Sequence, residues 1–275
     1  MSTSPKSKPR RCPAAVWTTT RPSALSARNR GASGPAVSSL GVALYHGTMT
    51  TTPLTPSRGL NVLHLFCHVE HAIDRDVVHQ ACDEAVAAGL QVVTTAIMGA
   101  KADLCFMVLG EDLWELRKFQ SKVQAAGLVV SESYVSVTEV SEYALGMPEE
   151  MLNARLYPTL PPSDMKAFCF YPMSKRRGEE KNWFALPFEE REQLMREHGK
   201  SGRDFKGRVL QVVTGSTGLD DWEWGVTLFA VRPDDLKDCV YTMRFDEAST
   251  LYADFGPFYT GLVGGLDEVL DATLA

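Results

Sequence analysis

Tyr157-Pro-Thr-Leu-Pro-Pro-Ser-Asp-Met-Lys-Ala-Phe-Cys-Phe-Tyr171 decides how this chain folds. Three prolines between 157 and 162 can continue neither a helix nor a central strand. The apolar run Ala167 to Phe170 then opens a fresh strand that ends at or near Tyr171. On either side of this link the elements come in a similar order. Before it, Asn61 to Val69 alternates as a strand. Asp74 to Ala88 has Val77, Val78, Cys82 and Val86 at helical spacing, with Gly89 as its C-cap. Leu90 to Ile97 and Ala102 to Leu109 read as strands, and Glu111 to Ala126 as a helix with Leu113, Leu116, Phe119 and Val123 on one face. Leu128 to Val140 is again strand-like. After the link come the strand Ala167 to Tyr171 and a helix from Phe188 to His198, which stops before Gly199. The strands Arg208 to Thr214 and Trp222 to Val231 follow, joined by the loop from Gly215 to Asp220. A helix opens at Pro233, Phe245 to Ala253 is helix-compatible, and Phe258 to Val263 is a last strand. Two βαββαβ passes predict an α+β fold of two ferredoxin-like halves, residues 59–160 and 161–275, whose sheets pair into a barrel-like body.

Charge separates the first 58 residues from the rest. They hold eight Lys or Arg and no Asp or Glu, leaving 20 basic against 34 acidic residues, a net of −14, in the remainder. An acidic body argues against a nucleic-acid partner, which needs a basic face. The first part is rich in Ser, Thr, Pro, Ala and Arg without steady periodicity. It reads as a disordered extension, or as 48 residues preceding a true start at Met49, rather than as a targeting leader. No stretch approaches the roughly 18–20 apolar residues of a membrane span. The six cysteines (12, 67, 82, 105, 169 and 239) form no CxxC pair, and most lie in apolar runs. Buried free thiols in a reducing, cytoplasmic setting are the expectation.

The candidate chemistry lies in the second half. Arg191, Leu194, Met195 and His198 fall at i, i+3, i+4 and i+7 and share one helix face. His198 is the only histidine after His79. It is either a core histidine satisfied by a backbone carbonyl or a haem axial ligand whose second nitrogen needs an acceptor. Tyr171, with Lys175 four residues on, suits a redox-active phenol beside such a pocket, although a strand tyrosine also simply packs. Lys175, Arg176 and Arg177 are either a solvated loop or a set of carboxylate donors. His64, His68 and His71 are a weaker candidate metal site, with a polar sheet face as the alternative.

Longer motifs carry a resemblance. Phe170-Tyr-Pro-Met-Ser-Lys-Arg-Arg177, Asn182-Trp183, Arg191 to Gly199, Gln211 to Ser216, Leu219-Asp-Asp221, Glu223-Trp-Gly-Val226, Met243 to Ser249 and Tyr252 to Tyr259 resemble the coproheme decarboxylases of the chlorite dismutase-like family. The likeness spans about residues 60 to 270 and is most specific in the second half. It implies a homopentamer with haem bound in the C-terminal half. By the resemblance, His198 is the iron ligand, Tyr171 forms a radical, and Lys175 holds a propionate and assists its loss. Arg155, the run Tyr171, Pro172, Met173, Ser174 and Lys175, Gln211 and Ser249 match porphyrin-binding positions, and Tyr134 matches a further propionate contact.

The implied reaction is peroxide-dependent. Iron-coproporphyrin III (coproheme) is substrate and redox centre, two propionates become vinyls, and haem b is the product. A ferrochelatase-type donor is the implied partner. Chlorite dismutases place an arginine where this chain has Gln211, and an amide lacks the charge that stabilises an oxyanion. Chlorite chemistry is therefore disfavoured. One branch of the decarboxylases carries a distal histidine upstream of the tyrosine; no histidine lies between His79 and His198, so the chain resembles the other, Gln-bearing branch. A haem carrier or sensor without turnover, and a purely structural oligomer, are the competing classes.

Overall fold

A computed structural model describes residues 52–274 apart from Leu145. The expectations for residues 1–51 lie outside the described residues. Leu54 is already tied down, since its N–H donates to Asp112 and its carbonyl accepts from Leu113.

The chain runs β1 (Asn61–His68), α1 (Arg75–Ala87), β2 (Gln91–Met98), β3 (Leu104–Gly110), α2 (Leu113–Ala125), β4 (Val129–Thr138) and α3 (Glu149–Leu156). It continues with β5 (Ala167–Lys175), α4 (Phe188–Arg203), β6 (Val209–Gly215), β7 (Trp224–Ala230) and α5 (Pro233–Met243). The last elements are α6 (Glu247–Thr250), β8 (Ala253–Phe255), β9 (Tyr259–Gly264) and α7 (Leu266–Leu274). Asp74 and Asp112 start α1 and α2 by accepting backbone N–H bonds from Val77 and Trp114.

All strand pairings are antiparallel. The order is β7-β6-β4-β1-β3-β2-β9-β5-β8, with β7 also pairing β5. That extra pairing closes eight strands into a barrel and leaves β8 as an appendix on β5. The first half lies in the order β4-β1-β3-β2. The second lies as β9-β5-β7-β6, the same order once its strands are renumbered. Two seams join the halves, β4 to β6 and β2 to β9. The mixed α+β class and the duplicated ferredoxin-like arrangement expected from the sequence are thus present.

Strand alternation splits the apolar residues into two sets. Val62, Phe66, Met107, Phe168, Phe170, Phe229 and Tyr259 fill the barrel. The outward face of the first half packs on α1, α2 and α7. The outward face of β5, β6 and β7 packs on α5.

Several boundaries differ from the sequence reading. The α1 face is buried through Val78, Ala81 and Ala85, while Val86 is exposed. Two small alanines let the helix approach the sheet, and a count of larger apolar residues overlooks them. Strand β5 extends four residues past Tyr171, so Lys175 is on a strand rather than in a solvated loop. Pro172 is tolerated because its carbonyl, and hence its missing N–H, faces the gap between β9 and β8, where Gly256 donates to it. Helix α4 continues through Gly199 to Arg203; Gly199 keeps a negative φ, and a mid-helix glycine costs only about 1 kcal/mol. Helices α3 and α7 were not anticipated. Of the helix-compatible stretch 245–253, only Glu247–Thr250 is helical.

His64 lies inside the barrel, fully buried, with Nε2 3.0 Å from Thr227 Oγ1. His68 faces Asp103 at 3.3 Å. No group of three metal-ligating side chains occurs among the described residues, so the histidine-cluster reading is set aside. No helix among them is long and apolar enough to cross a membrane. Cys67, Cys105, Cys169 and Cys239 are buried free thiols, as expected, and Cys82 is half-buried.

Candidate active site

A cavity of about 410 Å³ lies on the outward face of the second half. Its floor is β5, β6 and β7. Its roof is α4, α5 and α6, and residues 139–143 cross one side. Because β5 alternates, Tyr171, Met173 and Lys175 point into the cavity together. Gln211 and Val213 join them from β6, and Trp224 and Val226 from β7. Met195 and His198 come from α4, Val240 and Met243 from α5, and Ser249 from α6.

His198 is held by a carboxylate. Its Nδ1 is 3.1 Å from Asp246 Oδ2 and 3.2 Å from Oδ1. Burial pushes the Asp246 pKa up. The hydrogen bond and charge of His198 and the bonds from Ser249 outweigh it, so the carboxyl sits below its ordinary range. An ionised carboxylate only accepts, so Nδ1 carries a proton, and in the neutral imidazole this leaves the lone pair on Nε2. That is the state in which an imidazole ligates iron, with a partner that fixes its tautomer. Asp246 is also the N-cap of α6, accepting from the Ser249 N–H at 3.3 Å.

Lys175 is nearly buried. Its ammonium donates to Ala248 O at 3.0 Å and lies 4.0 Å from the centroid of the Trp183 ring. Burial pulls its pKa down to about 8, against the opposing pull of Asp246 and Glu223. Glu223 accepts the Lys175 backbone N–H at 2.7 Å and so fixes the strand end. Tyr171 stacks on Phe258 with centroids 4.5 Å apart and leans on Phe255 at 5.8 Å. Burial, then the nearby Cys169 and Cys239, raise its phenol above the ordinary range, so it is neutral.

Gln211 directs Nε2 toward Cys239 Sγ at 3.5 Å and Met243 Sδ at 3.9 Å. A thioether only accepts, which sets the amide nitrogen on the sulfur side. Arg244 stands at the cavity edge, its guanidinium 3.9 Å from the centroid of the Phe255 ring. Trp224 Nε1 donates to Glu139 at 2.8 Å and anchors the crossing segment. A side chain at Gly215 would meet that same carboxylate, whose carbon lies 2.6 Å from the place of a Cβ.

The structure therefore brings Tyr171, Met173, Lys175, His198, Gln211 and Ser249 to one cavity. Four other expected residues do not line it. Pro172 and Ser174 point to the opposite face of β5, where Ser174 Oγ accepts from the Glu223 N–H. Tyr134 is inside the barrel, hydrogen-bonded to Ser216. Arg155 is exposed on α3, its guanidinium 3.2 Å from Met147 Sδ. Asp246, Trp183, Arg244 and the 139–143 segment were not assigned from the residues. Asp246 was findable only as the acceptor His198 needs, and it lies 48 positions away.

The cavity suits a haem-type group. It offers an oriented imidazole, apolar walls from Met195, Val213, Val226, Val240 and Phe255, and the cations Lys175 and Arg244. The family model described as chlorite dismutase matches residues 70–264. The chain belongs to the chlorite dismutase family. A relative from Staphylococcus carnosus, named coproheme decarboxylase, is 48% identical to this family member over 177 residues, covering 61% of this chain and 70% of the relative. A Natronomonas pharaonis relative named as heme-binding is 46% identical over 185 residues, 60% of this chain. This chain spans only 30% of that relative's length. A solved structure of a heme-binding protein from Thermus thermophilus superposes with a TM-score of 0.71 at 34% identity. It covers 82% of this chain and 99% of the other.

Proposed function

We propose that this protein is a coproheme decarboxylase, converting two propionates of iron-coproporphyrin III to vinyls with hydrogen peroxide as oxidant. The observation that carries the reading is the meeting of Tyr171, Lys175 and an Asp246-bound His198 in one apolar cavity. The name of the Staphylococcus carnosus relative supports it. For each propionate, –CH₂CH₂COO⁻ + H₂O₂ + H⁺ gives –CH=CH₂ + CO₂ + 2 H₂O. The coproheme substrate, bound through its iron, supplies the oxidising chemistry when peroxide reacts with it. His198 Nε2 is the iron ligand, and Asp246 keeps that ring oriented. The phenol of Tyr171 gives up its hydrogen atom and the resulting radical takes one from the propionate β-carbon. Lys175 and Ser249 hold carboxylates. Met195, Val226 and Val240 exclude water from the faces of the ring. Gln211 contributes no charge to an oxyanion, which disfavours chlorite as the substrate.

A homopentamer, a cytoplasmic setting and a ferrochelatase-type donor of coproheme belong to the same reading. Haem binding without turnover is the second reading, and the names of the Natronomonas and Thermus proteins favour it. One experiment separates the two. Purified protein is loaded with ferric coproheme and titrated with peroxide, followed by absorbance and product mass. Stepwise loss of two carboxyl groups ending in haem b is expected. Bleaching alone would leave a haem-binding protein.

A further inference from the structure

Two buried hydrogen-bonding atoms have no partner at hydrogen-bond distance among the described residues: the phenol oxygen of Tyr143, in the cavity wall with Glu142 and Trp183 as its polar neighbours, and Nε of Arg191 on α4, outside the cavity lining. A guanidinium only donates. Burial, then the neighbouring Glu142, holds the Tyr143 phenol above its ordinary range, so it too presents a proton. Buried donors without acceptors are costly, and each calls for a physical explanation.

The two groups belong to one patch. Tyr143 stacks on Phe188 with centroids 5.6 Å apart, and the Arg191 guanidinium carbon is 5.8 Å from the centroid of the same ring. The nearby anion is loosely held: Glu142 Oε1 is 3.7 Å from Arg191 Nη2, on a side chain that is 55% exposed. Tyr143 forms part of the cavity wall. Arg191 is on α4, on the face that carries Met195 and His198, about 10.5 Å along the axis from His198. The other cations at the cavity, Lys175 and Arg244, rest on Trp183 and Phe255.

We propose that Tyr143 and Arg191 form a carboxylate-binding subsite that takes one propionate of a porphyrin tetracarboxylate. The proposal rests on the haem-type reading of the cavity. A ligand carboxylate seated between Phe188 and the cavity wall would offer acceptors to these donors in place of the loosely held Glu142. A porphyrin with two carboxylates can seat them on Lys175 and Arg244 and leave the subsite empty. One with four has further carboxylates to offer the subsite.

The test is a binding titration, independent of turnover. The full chain is titrated with metal-free coproporphyrin III, with four carboxylates, and with mesoporphyrin IX, with two, by fluorescence quenching. Tyr143→Phe, which removes one oxygen, should weaken coproporphyrin binding about tenfold or more, the scale of a hydrogen bond to a charged group. Mesoporphyrin binding should change less than about twofold. Arg191→Gln should act in the same direction, and retained mesoporphyrin binding shows that either variant is folded. Unchanged coproporphyrin affinity in Tyr143→Phe, or equal losses for both porphyrins, would overturn the subsite while leaving the cavity reading intact. Failure of the unaltered protein to bind either porphyrin would overturn both.

Discussion

Asp246 stands 3.1 Å from Nδ1 of His198 and also caps α6, so one carboxylate starts a helix and orients an imidazole. The two tasks separate in Asp246→Asn. Asparagine caps a helix about as well as aspartate, so α6 should persist, and any fall in the thermal midpoint should reflect only the lost charge beside His198. An amide lacks the charge that makes the imidazole a strong ligand. Loss of such a partner typically costs ten- to a hundredfold in affinity for the metal group. Ferric haem binding by absorbance titration should therefore weaken within about that range. Unchanged affinity would remove Asp246 from the site.

Tyr171→Phe keeps the ring that stacks on Phe258 at 4.5 Å and removes only the phenol hydroxyl. Coproheme should bind as before, and the mass of the bound porphyrin should stay unchanged after peroxide. Stepwise decarboxylation by this variant would end the radical role.

How far the site was legible depended on the range of each contact. The i, i+4, i+7 spacing of Arg191, Met195 and His198 was readable because helix geometry is local. The alternation of β5 was readable only as far as Tyr171. Lys175, Arg176 and Arg177 read equally as a solvated loop or as carboxylate donors, whereas the strand persists to Lys175 because the proline nitrogen faces a gap between partners. With the strand extended, the same alternation turns Pro172 and Ser174 away from the cavity and Lys175 into it. Tyr134 lies inside the barrel, away from the cavity lining, and nothing in Ser-Tyr-Val-Ser-Val says which face of β4 is inside the closed barrel. That depends on the β4–β6 seam between the halves. Asp246 and the 139–143 segment reach the site from distant sequence, and no local pattern records them.

Lys175 gives a pH signature. Its pKa falls from 10.5 to about 8 through burial. Between these values the unfolded chain binds more protons than the folded one, so this residue makes stability rise as pH goes from 8 to 10.5. Below about pH 8 both states are protonated and the burden of the buried ammonium is constant. Ligand binding should run the other way, because a carboxylate is held by the ammonium. Coproporphyrin affinity should fall as pH rises through about 8, and Lys175→Met should flatten both dependences. Parallel pH series of denaturant melts and binding titrations check this. A Lys175→Met profile identical to that of the unaltered protein would show that the group does not titrate in this range.

His64 supplies the acid limit of the fold. It is enclosed by the barrel, 4.4 Å in ring centroids from Phe170, and burial lowers its pKa from 6.5 to about 3. Between those values the unfolded chain takes up a proton that the folded barrel refuses, so stability is lost as pH falls from about 6.5 toward 3. His64→Leu removes that proton uptake. It also leaves Thr227 Oγ1 without its 3.0 Å partner, at a cost of about 1–3 kcal/mol. The variant should therefore be less stable at about pH 8 yet lose less on acidification, and the two stability curves should converge toward about pH 4. Chemical denaturation at about pH 8, 6 and 4 measures both effects together. Parallel curves would mean that acid sensitivity originates elsewhere, in carboxylates such as Asp246 that the folded chain holds ionised.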